Sequence, residues 1–533
     1  MEGIWNLISS MFHMTYPSME PHTITWFSLS LLLITTLILL SKLRKVRNQK
    51  KLPPTPPSLP IIGHLHLLKE PFHRVLHNLS NKYGPILSLT IGSRPVLVVS
   101  SPTAVRECFT KNDIVFANRP RLISGKYINY NYTAVGFAPY GQHWRNMRRI
   151  ATTELLSNHR LNMYLNIRVE ELKLWVKNNL YKWGSGGDFV VVDMKSKLKE
   201  LSFNTVMRMI SGKRYFGVEV EDVEEAFEFR EIMKELLELS GATNAADFLK
   251  ILRVFDLEGV KKRMMKASGR ADVFLQKLID EERKKRVSRW PEEKQKQAKT
   301  SMIRTLLSLQ ESQPQYYSDD IIKGHVLTML AAGTDTTSGT IEWAMSLLLN
   351  HPMTMKKAWI EIRDCVGENQ MVEEGDVSKL KYLEAIIYET LRMFPAAPLL
   401  VPHECSEDCS IEGFEVPKGT MLLVNAWGIH RDPKVWEDPT SFQPERFLNW
   451  EGVESYKWIP FGMGRRACPG VALAQRSMGL TLATLIQCFE WKKVDEQEQI
   501  DLSEGSGITM PKAKALEAMC KPRTSVLHLL AQL

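Results

Sequence analysis

Cysteine is scarce in this chain, with seven among 533 residues. An odd and sparse set cannot build a complete disulfide framework, so the composition excludes a small disulfide-held secreted fold and favours a reducing compartment. Acidic residues are also in deficit, because 69 Lys and Arg stand against 60 Asp and Glu and give a formal charge of +9. Such a balance suggests a nucleic acid, a membrane surface or an acidic partner, and the position of the charge decides among them.

Formal charge is absent from residues 24–40, which read ITWFSLSLLLITTLILL. A run of this length is at the short end of what crosses the hydrocarbon core of a bilayer. Lys and Arg are also absent before it, whereas six of them follow within 42–51 with no acidic residue among them. Basic residues favour the cytosolic side, so we predict a short lumenal N-terminus at 1–23 and a transmembrane anchor at 24–41. A cleaved signal peptide would instead need basic residues before the run and a small-residue cleavage site after it.

The basic stretch accounts for most of the positive charge, and the remaining sequence has no base-reading motif, so we expect no nucleic-acid partner. Residues 42–60 contain this basic stretch, which we interpret as a stop-transfer segment, followed by the proline-rich run PPTPPSLP. Proline fixes φ and removes donors, which predicts an extended hinge. No repeat or second linker follows. We therefore predict one large domain at 61–533, mainly α-helical with a small β-sheet, including a hairpin around Gly92 and Ser93.

Residues 321–350 are apolar almost all round, which predicts a helix buried on every side. The only formal charge between Lys323 and Glu342 is Asp335, within the stretch AAGTDTTSGT at 331–340. Hydroxyl side chains there can bond back to helix carbonyls and bend the axis. The residues alone leave two interpretations open: a hydrogen-bonded turn of the core, or a site that places water or a proton path beside a reaction centre.

A second helix is predicted to begin near Cys468, after the segment PFGMGRRACPG at 460–470. The glycines allow tight turns, and proline after the cysteine suits a first helical position. A thiol at a helix N-terminus is favoured as the thiolate, and Arg465 and Arg466 add positive charge. The alternative is a buried structural cysteine, but this surrounding sequence favours a thiolate ligand.

Five motifs, taken together, show what the sequence resembles. Phe461, Gly464, Arg466, Cys468 and Gly470 match the pattern Phe-x-x-Gly-x-Arg-x-Cys-x-Gly at every position. On these grounds the chain resembles the cytochrome P450 family of haem-thiolate monooxygenases over everything after residue 53. The family's other motifs are matched by Trp144 with Arg148, by 332–337, by Glu389 with Arg392, and by 444–447. The C-terminal part is most similar to plant members that include isoflavone 2′-hydroxylases and lignan methylenedioxy-bridge (sesamin synthase-like) enzymes.

The resemblance implies the cytochrome P450 fold, preceded here by a single N-terminal transmembrane helix, and it implies roles for the matched residues. Cys468 would be the axial ligand of the iron of haem b, and Phe461 would shield its sulfur. The side chains that would face the two haem propionates are Trp144, Arg148, His403 and Arg466. For His403 the alternative is a loop histidine without this role. Asp335 and Thr336 would deliver protons to iron-bound dioxygen.

Glu389 and Arg392 lie three positions apart on one predicted helix, where side chains meet. From spacing alone they would be a solvated surface pair. The resemblance instead implies a structural ion-pair network with Arg446.

The implied activity is oxidation of a small hydrophobic substrate with O2 and electrons from NADPH through a reductase, with cytochrome b5 as an optional second donor. The implied location is the endoplasmic reticulum membrane, with the catalytic domain in the cytosol. We expect hydroxylation or methylenedioxy-bridge formation on a plant phenolic such as an isoflavonoid or lignan. The alternatives are a terpenoid or alkaloid hydroxylase and a reductase-independent haem-thiolate isomerase or dehydratase. Thr336 argues against relatives that rearrange peroxides, because those lack this threonine.

One further group of side chains could bind a metal. His403, Cys405 and Cys409 would make a partial zinc cluster, but their spacing is not that of a usual zinc finger and no fourth ligand is evident.

Overall fold

The computed structural model describes Leu32, Thr36 and residues 51–181, 188–217, 220–241, 245–249, 252, 256, 259–287, 301–450, 452 and 455–533. The chain divides into two compact units, Met1–Leu52 and Pro53–Leu533. Apart from Leu32 and Thr36, the anchor predicted at 24–41 lies outside the described residues, as do 1–23 and 42–50. Among the helices in the described ranges, none combines the length and apolar character needed to cross a membrane.

The second unit is mainly helical, as predicted. Its first helices are α1 (Phe72–Tyr83), α2 (Pro102–Phe109), α3 (Ile123–Tyr127), α4 (Gln142–Arg149), α5 (Asn158–Met163), α6 (Leu165–Val176), α7 (Met194–Ser211), α8 (Val223–Gly241) and α9 (Ala245–Phe248). The later ones are α10 (Val260–Val287), α11 (Met302–Ser312), α12 (Asp319–Asn350), α13 (Pro352–Val366), α14 (Glu374–Val377), α15 (Lys381–Met393), α16 (Ala426–Ile429), α17 (Val471–Cys488) and α18 (Leu527–Leu530).

Helix α12 runs through the centre of this unit and packs against α7, α10, α15 and α17. Its apolar residues are buried because neighbouring helices cover most of its faces, as the sequence predicted. The stretch rich in Gly and Thr does not interrupt it. There the hydroxyls of Thr334 and Thr336 donate back to the carbonyl oxygens of Leu330 and Ala332 at 2.8 and 2.7 Å. The helix therefore places a row of hydroxyl side chains in the middle of the unit.

Within the described residues the strands form three small sheets. They are β1 (Ile86–Ile91), β2 (Arg94–Val99), β3 (Val190–Asp193), β4 (His403–Glu404), β5 (Cys409–Ile411), β6 (Phe414–Val416), β7 (Met421–Val424), β8 (Phe489–Lys493) and β9 (Glu517–Pro522). The largest sheet has the order β1-β2-β7-β4, the second β3-β9-β8, and the third is the pair β5-β6. The predicted hairpin is confirmed by antiparallel β1 and β2, and β7 joins β2 in parallel.

The proline-rich segment lies on the surface of the second unit. The Pro54 carbonyl oxygen accepts a hydrogen bond from the Ser88 N–H of β1 at 2.9 Å. The Pro56 carbonyl oxygen lies 2.8 Å from Nε2 of His64. Because these contacts bind it to the sheet, the chain after Pro53 continues directly into the folded body.

Candidate active site

The segment that leads to Cys468 is held close to the protein body by a glycine. Gly464 has a φ of +66°, and a Cβ at this position would overlap the Asp113 carboxylate. A short 3-10 turn at Gly464–Arg466 follows. The Cys468 N–H then donates to the Phe461 carbonyl oxygen at 2.9 Å, which closes the loop around the thiol.

The thiol of Cys468 lies just before a helix. Helix α17 begins at Val471, three residues later than the predicted start, so the cysteine precedes the helix instead of forming its first turn. The Gly470 N–H donates to the sulfur at 3.3 Å. Burial raises the pKa of the thiol, whereas this N–H and the Arg148 charge act in the opposite direction. Loading a metal here therefore has to displace a proton that the protein itself holds on the sulfur.

Cys468 opens into a cavity of about 360 Å³ that α12 also lines. Helix α12 contributes Ala332, Gly333 and Thr336 to the lining. Most of the remaining wall is apolar, and no Asp or Glu of the described chain belongs to it. The cavity thus brings one thiol into a common space with four threonines of the central helix, Thr328, Thr336, Thr337 and Thr340.

Several positively charged side chains surround this cavity. Arg466 donates to the carbonyl oxygens of Ala117, Val135 and Ala138 at 2.7, 3.2 and 2.6 Å. Burial lowers its pKa to about 8. Arg119, which the sequence reasoning did not identify, also lines the cavity, and burial lowers its pKa to about 9. Buried cations next to a space without carboxylates favour a bound group that carries negative charge.

Trp144 and Arg148, on α4, belong to the same wall. The Arg466 guanidinium lies over the Trp144 ring, 4.4 Å from its centroid, which is a cation–π arrangement. Arg148 donates from Nη1 to the Ala467 carbonyl oxygen at 2.6 Å. These contacts join α4 to the Cys468 loop, so the predicted set of Trp144, Arg148 and Arg466 is brought together by the fold.

His403, at the start of β4, is buried and lines the cavity as well. Its Nδ1 lies 2.7 Å from the Phe116 carbonyl oxygen and donates a hydrogen bond to it. Burial, together with the charges of Arg119 and Arg466, lowers its pKa well below the usual value. The imidazole is therefore neutral at pH 7 and offers its second nitrogen for hydrogen bonding.

Asp335 and Thr336 point to different surroundings although they are adjacent. Thr336 lines the cavity, whereas Asp335 is not among the lining residues. The Asp335 carboxylate instead forms an ion pair with Nζ of Lys199, on α7, at 3.0 Å. The sequence reasoning missed Lys199, because its partner lies on another helix. The structure thus places one of the two predicted residues in the cavity and the other behind it.

Glu389 and Arg392, on α15, lie together in the interior and not at the surface. Arg392 donates to the Glu389 carboxylate from Nε and Nη2 at 2.7 and 2.8 Å, and both side chains are 0% exposed. Arg446 adds a contact from Nε to Glu389 at 3.1 Å. The spacing argument, which made them a solvated pair, is wrong, because the segment that carries Arg446 covers this face of the helix.

Comparison with known proteins agrees with this site. The sequence profile of the Cytochrome P450 family matches residues 53–517. The chain belongs to the cytochrome P450 family. Cytochrome P450 81Q32 of Catharanthus roseus is 54% identical over 96% of this chain and 99% of its own length. Isoflavone 3′-hydroxylase of Medicago truncatula is 53% identical over 92% and 97%. The (+)-piperitol/(+)-sesamin synthase CYP81Q2 of Sesamum radiatum is 51% identical over 93% and 95%.

As a cytochrome P450, the chain is a monooxygenase with haem b as its cofactor and NADPH as the electron source through a reductase. The cavity fits this group in its chemistry, since a thiol supplies an iron ligand and buried arginines suit two carboxylates. The mainly helical fold with small sheets is that of the family.

Proposed function

We propose that the chain is a membrane-anchored haem-thiolate monooxygenase that oxidises a plant phenolic such as an isoflavonoid or lignan. The observation that carries the proposal is the cavity that joins Cys468, the Thr336 hydroxyl and several arginines in a wall to which no described Asp or Glu belongs. The product is a hydroxylated ring or a methylenedioxy bridge.

In this proposal Cys468 would supply the thiolate ligand of the haem iron. Bound haem with a thiolate ligand supplies oxygen activation, because thiolate donation favours O–O cleavage. The chain's own contribution is to hold the sulfur in place and to counter in part the effect of burial, which favours the protonated thiol. The Gly470 N–H and the Arg148 charge stabilise negative charge on it, and Phe461, whose carbonyl oxygen accepts from the Cys468 N–H, lines the same cavity.

The cationic side chains bind the carboxylates of the cofactor. Arg148 and Arg466 act in this role, and we add Arg119 to the set predicted from sequence. His403 already donates its Nδ1 N–H to Phe116, so it donates to a carboxylate from Nε2 only in its protonated form. Trp144 orients Arg466 by lying under its guanidinium. Charge-assisted hydrogen bonds to carboxylates are among the stronger polar interactions in proteins, so desolvated arginines gain a partner when the cofactor binds.

Thr336 and Asp335 control protons from the side of α12. The Thr336 hydroxyl donates to the Ala332 carbonyl oxygen, and its oxygen can accept a hydrogen bond from a group in the cavity. Asp335 acts from behind the wall through its carboxylate, which Lys199 holds in place. Proton transfer between Thr336 and Asp335 therefore requires an intervening water or a movement of the carboxylate.

The substrate class rests on the cavity and on the relatives. The apolar lining suits a neutral, hydrophobic molecule, and the absence of a lining carboxylate in the described chain disfavours pairing with a protonated amine. Relatives named for isoflavone hydroxylation and for piperitol and sesamin synthesis support a phenolic substrate. A terpenoid or alkaloid hydroxylase is the alternative within the same class.

We also propose the membrane arrangement predicted from the sequence. Residues 24–41 are a transmembrane anchor, 1–23 a lumenal N-terminus, 42–60 a basic stop-transfer and proline-rich segment, and 61–533 a cytosolic catalytic domain at the endoplasmic reticulum. The contacts of Pro54 and Pro56 with the folded body leave any hinge to the part of this segment before Pro53. The uncharged run, its basic edge and the division of the chain at Leu52 support this arrangement. A plant reductase, with cytochrome b5 as a second donor, docks from the cytosol.

The test is turnover of isoflavone and lignan substrates by the full-length protein in membranes with a plant reductase. Under 18O2, hydroxylation adds one labelled oxygen atom, whereas bridge formation removes two hydrogen atoms and leaves the product unlabelled. Either product must require NADPH and the reductase. Product formation without them would favour an isomerase or dehydratase, and turnover of terpenoids or alkaloids alone would overturn the phenolic assignment.

A further inference from the structure

Two thiols that the monooxygenase chemistry does not use lie against each other. The sulfur atoms of Cys405 and Cys409 are 3.6 Å apart, at the two ends of the turn from β4 to β5. No group of three or more His, Cys, Asp or Glu side chains in the described ranges is arranged to hold a metal ion. The described residues thus offer no further ligands for the zinc cluster that the sequence analysis considered and set aside, and the contact between the thiols needs another explanation.

The backbone holds Cys405 in place. Its N–H donates to the Thr420 carbonyl oxygen at 2.9 Å, and its carbonyl oxygen accepts from the Gly419 N–H at 2.7 Å. Its side chain is buried in the apolar cluster that includes Cys108. Cys409 begins β5, where it pairs with Val416, and it is only half-buried. One thiol is thus fixed in the interior while its neighbour can be reached from solvent.

The two sulfurs differ in their ease of ionisation. A hydrogen bond from the Cys405 thiol lowers the pKa of Cys409, and the same contact raises the pKa of Cys405. The Cys405 thiol also lies 2.7 Å from the Glu407 carbonyl oxygen, which can accept its hydrogen bond instead. Burial raises the pKa of nearby Cys108 and keeps that thiol protonated. Thiolates are the nucleophiles in thiol chemistry, so Cys409 is the more reactive member of this group.

We propose that Cys405 and Cys409 form a peroxide-oxidisable dithiol that closes to a reversible disulfide. The Cys409 thiolate attacks one oxygen of hydrogen peroxide, the O–O bond breaks, and sulfenic acid and hydroxide form. The Cys405 thiol then attacks the Cys409 sulfur, gives up its proton and releases water as the S–S bond forms. The two thiols lose two electrons, and one peroxide is reduced to hydroxide and water.

The position of this pair separates it from the iron ligand but not from the active site. Cys468 belongs to another loop, so a disulfide between Cys405 and Cys409 does not use the thiol that would bind the iron. His403, two residues before Cys405, lines the cavity from β4. The disulfide therefore forms in a segment that carries a wall of the active site.

The chain offers a direct test by peptide mapping. Cleavage after Lys and Arg gives a peptide, residues 393–418, that contains Cys405 and Cys409 and no other cysteine. The haem-loaded full-length protein is treated with hydrogen peroxide, alkylated and digested. We expect the peptide to lose both alkylation sites together with about 2 Da, and dithiothreitol to restore both thiols. The exposed Cys365 reports on the strength of the treatment in the same sample.

Two variants separate the pair from a general sensitivity to peroxide. Cys405→Ser and Cys409→Ser should each abolish the loss of about 2 Da, while Cys365→Ser should leave it unchanged. The proposal fails if both thiols of the wild-type peptide stay alkylatable under conditions that oxidise Cys365. It also fails if the peptide gains about 32 Da as a sulfinic acid without passing through the disulfide. Peptide mapping of the wild-type protein tests the proposal by itself, so the conclusion does not depend on whether the variants fold.

Discussion

Replacing Glu389 by glutamine removes a carboxylate that two arginines contact inside the protein. Arg392 reaches it with two hydrogen bonds at 2.7 and 2.8 Å, and Arg446 with one at 3.1 Å. The Gln443 N–H adds a fourth at 2.9 Å. After the substitution the Arg392 charge stays fully buried without a counter-charge from Glu389, and its partners are one neutral amide oxygen and three backbone carbonyl oxygens. Breaking a buried ion pair from one side costs about 3–5 kcal/mol, so we expect that loss in the free energy of unfolding.

The same helix offers a matched control. Lys381 pairs with Glu384 at 3.2 Å with the same spacing, but these side chains are 67% and 43% exposed. Lys381→Gln should therefore cost between 0 and about 1 kcal/mol, because solvent screens an exposed pair. Urea unfolding followed by far-UV circular dichroism measures both variants. If Glu389→Gln costs no more than Lys381→Gln, the buried network does not stabilise this fold as argued.

The network also reaches the Cys468 loop. Arg392 Nη1 donates to the His430 carbonyl oxygen at 2.6 Å, and the Ile459 N–H donates to Nε2 of His430 at 3.0 Å. Ile459 stands directly before the segment that carries Phe461 and Cys468. Glu389→Gln should consequently reduce haem retention as well as stability, although Glu389 does not line the cavity.

Three further changes have defined outcomes. Thr336→Ala should keep the haem spectrum but divert NADPH to hydrogen peroxide, measured as peroxide released per NADPH consumed, and Thr336→Ser should restore coupling. Arg466→Ala should weaken haem binding about tenfold in titrations, because roughly 1.4 kcal/mol of charge-assisted contact is lost, while the more exposed Arg465→Ala should not. Burial lowers the pKa of His430 to about 3 and of His325 to about 4. As the pH falls below about 6.5, the unfolded chain binds protons at these two histidines before the folded protein does. The free energy of unfolding should therefore fall by up to about 1.4 kcal/mol per pH unit for each histidine.

Each outcome can fail separately. Unchanged coupling in Thr336→Ala would remove that hydroxyl from proton delivery. Equal haem affinity in the Arg466 and Arg465 variants would show that the buried guanidinium does not bind the cofactor. A urea midpoint that stays constant between pH 7.5 and pH 5.5 would contradict the neutral, buried state of the two histidines.

Much of the site could be predicted from local sequence. The loop around Cys468 carries its own glycines, and the length and apolar character of 321–350 predict the central helix. The β1–β2 hairpin forms between neighbours in sequence and is predicted by its Gly-Ser turn. In these cases the interactions that decide the structure lie within a few residues of each other.

The parts that sequence reasoning missed depend on distant contacts. Arg119 donates to the Val401 carbonyl oxygen, 282 positions away, so no local pattern marks it as a cavity residue. Spacing suggested a surface for Glu389 because the covering segment with Arg446 lies 57 positions later. Lys199 pairs with Asp335 only because α7 packs on α12.

The central claim is that Cys468 is the iron ligand in this cavity. The most direct measurement is the absorption spectrum of the reduced, CO-bound full-length protein beside that of Cys468→Ala. We predict the red-shifted band typical of a thiolate-ligated haem in the wild type and its loss in the variant. An unchanged band in Cys468→Ala, or a wild type that binds haem without this band, would contradict the assignment.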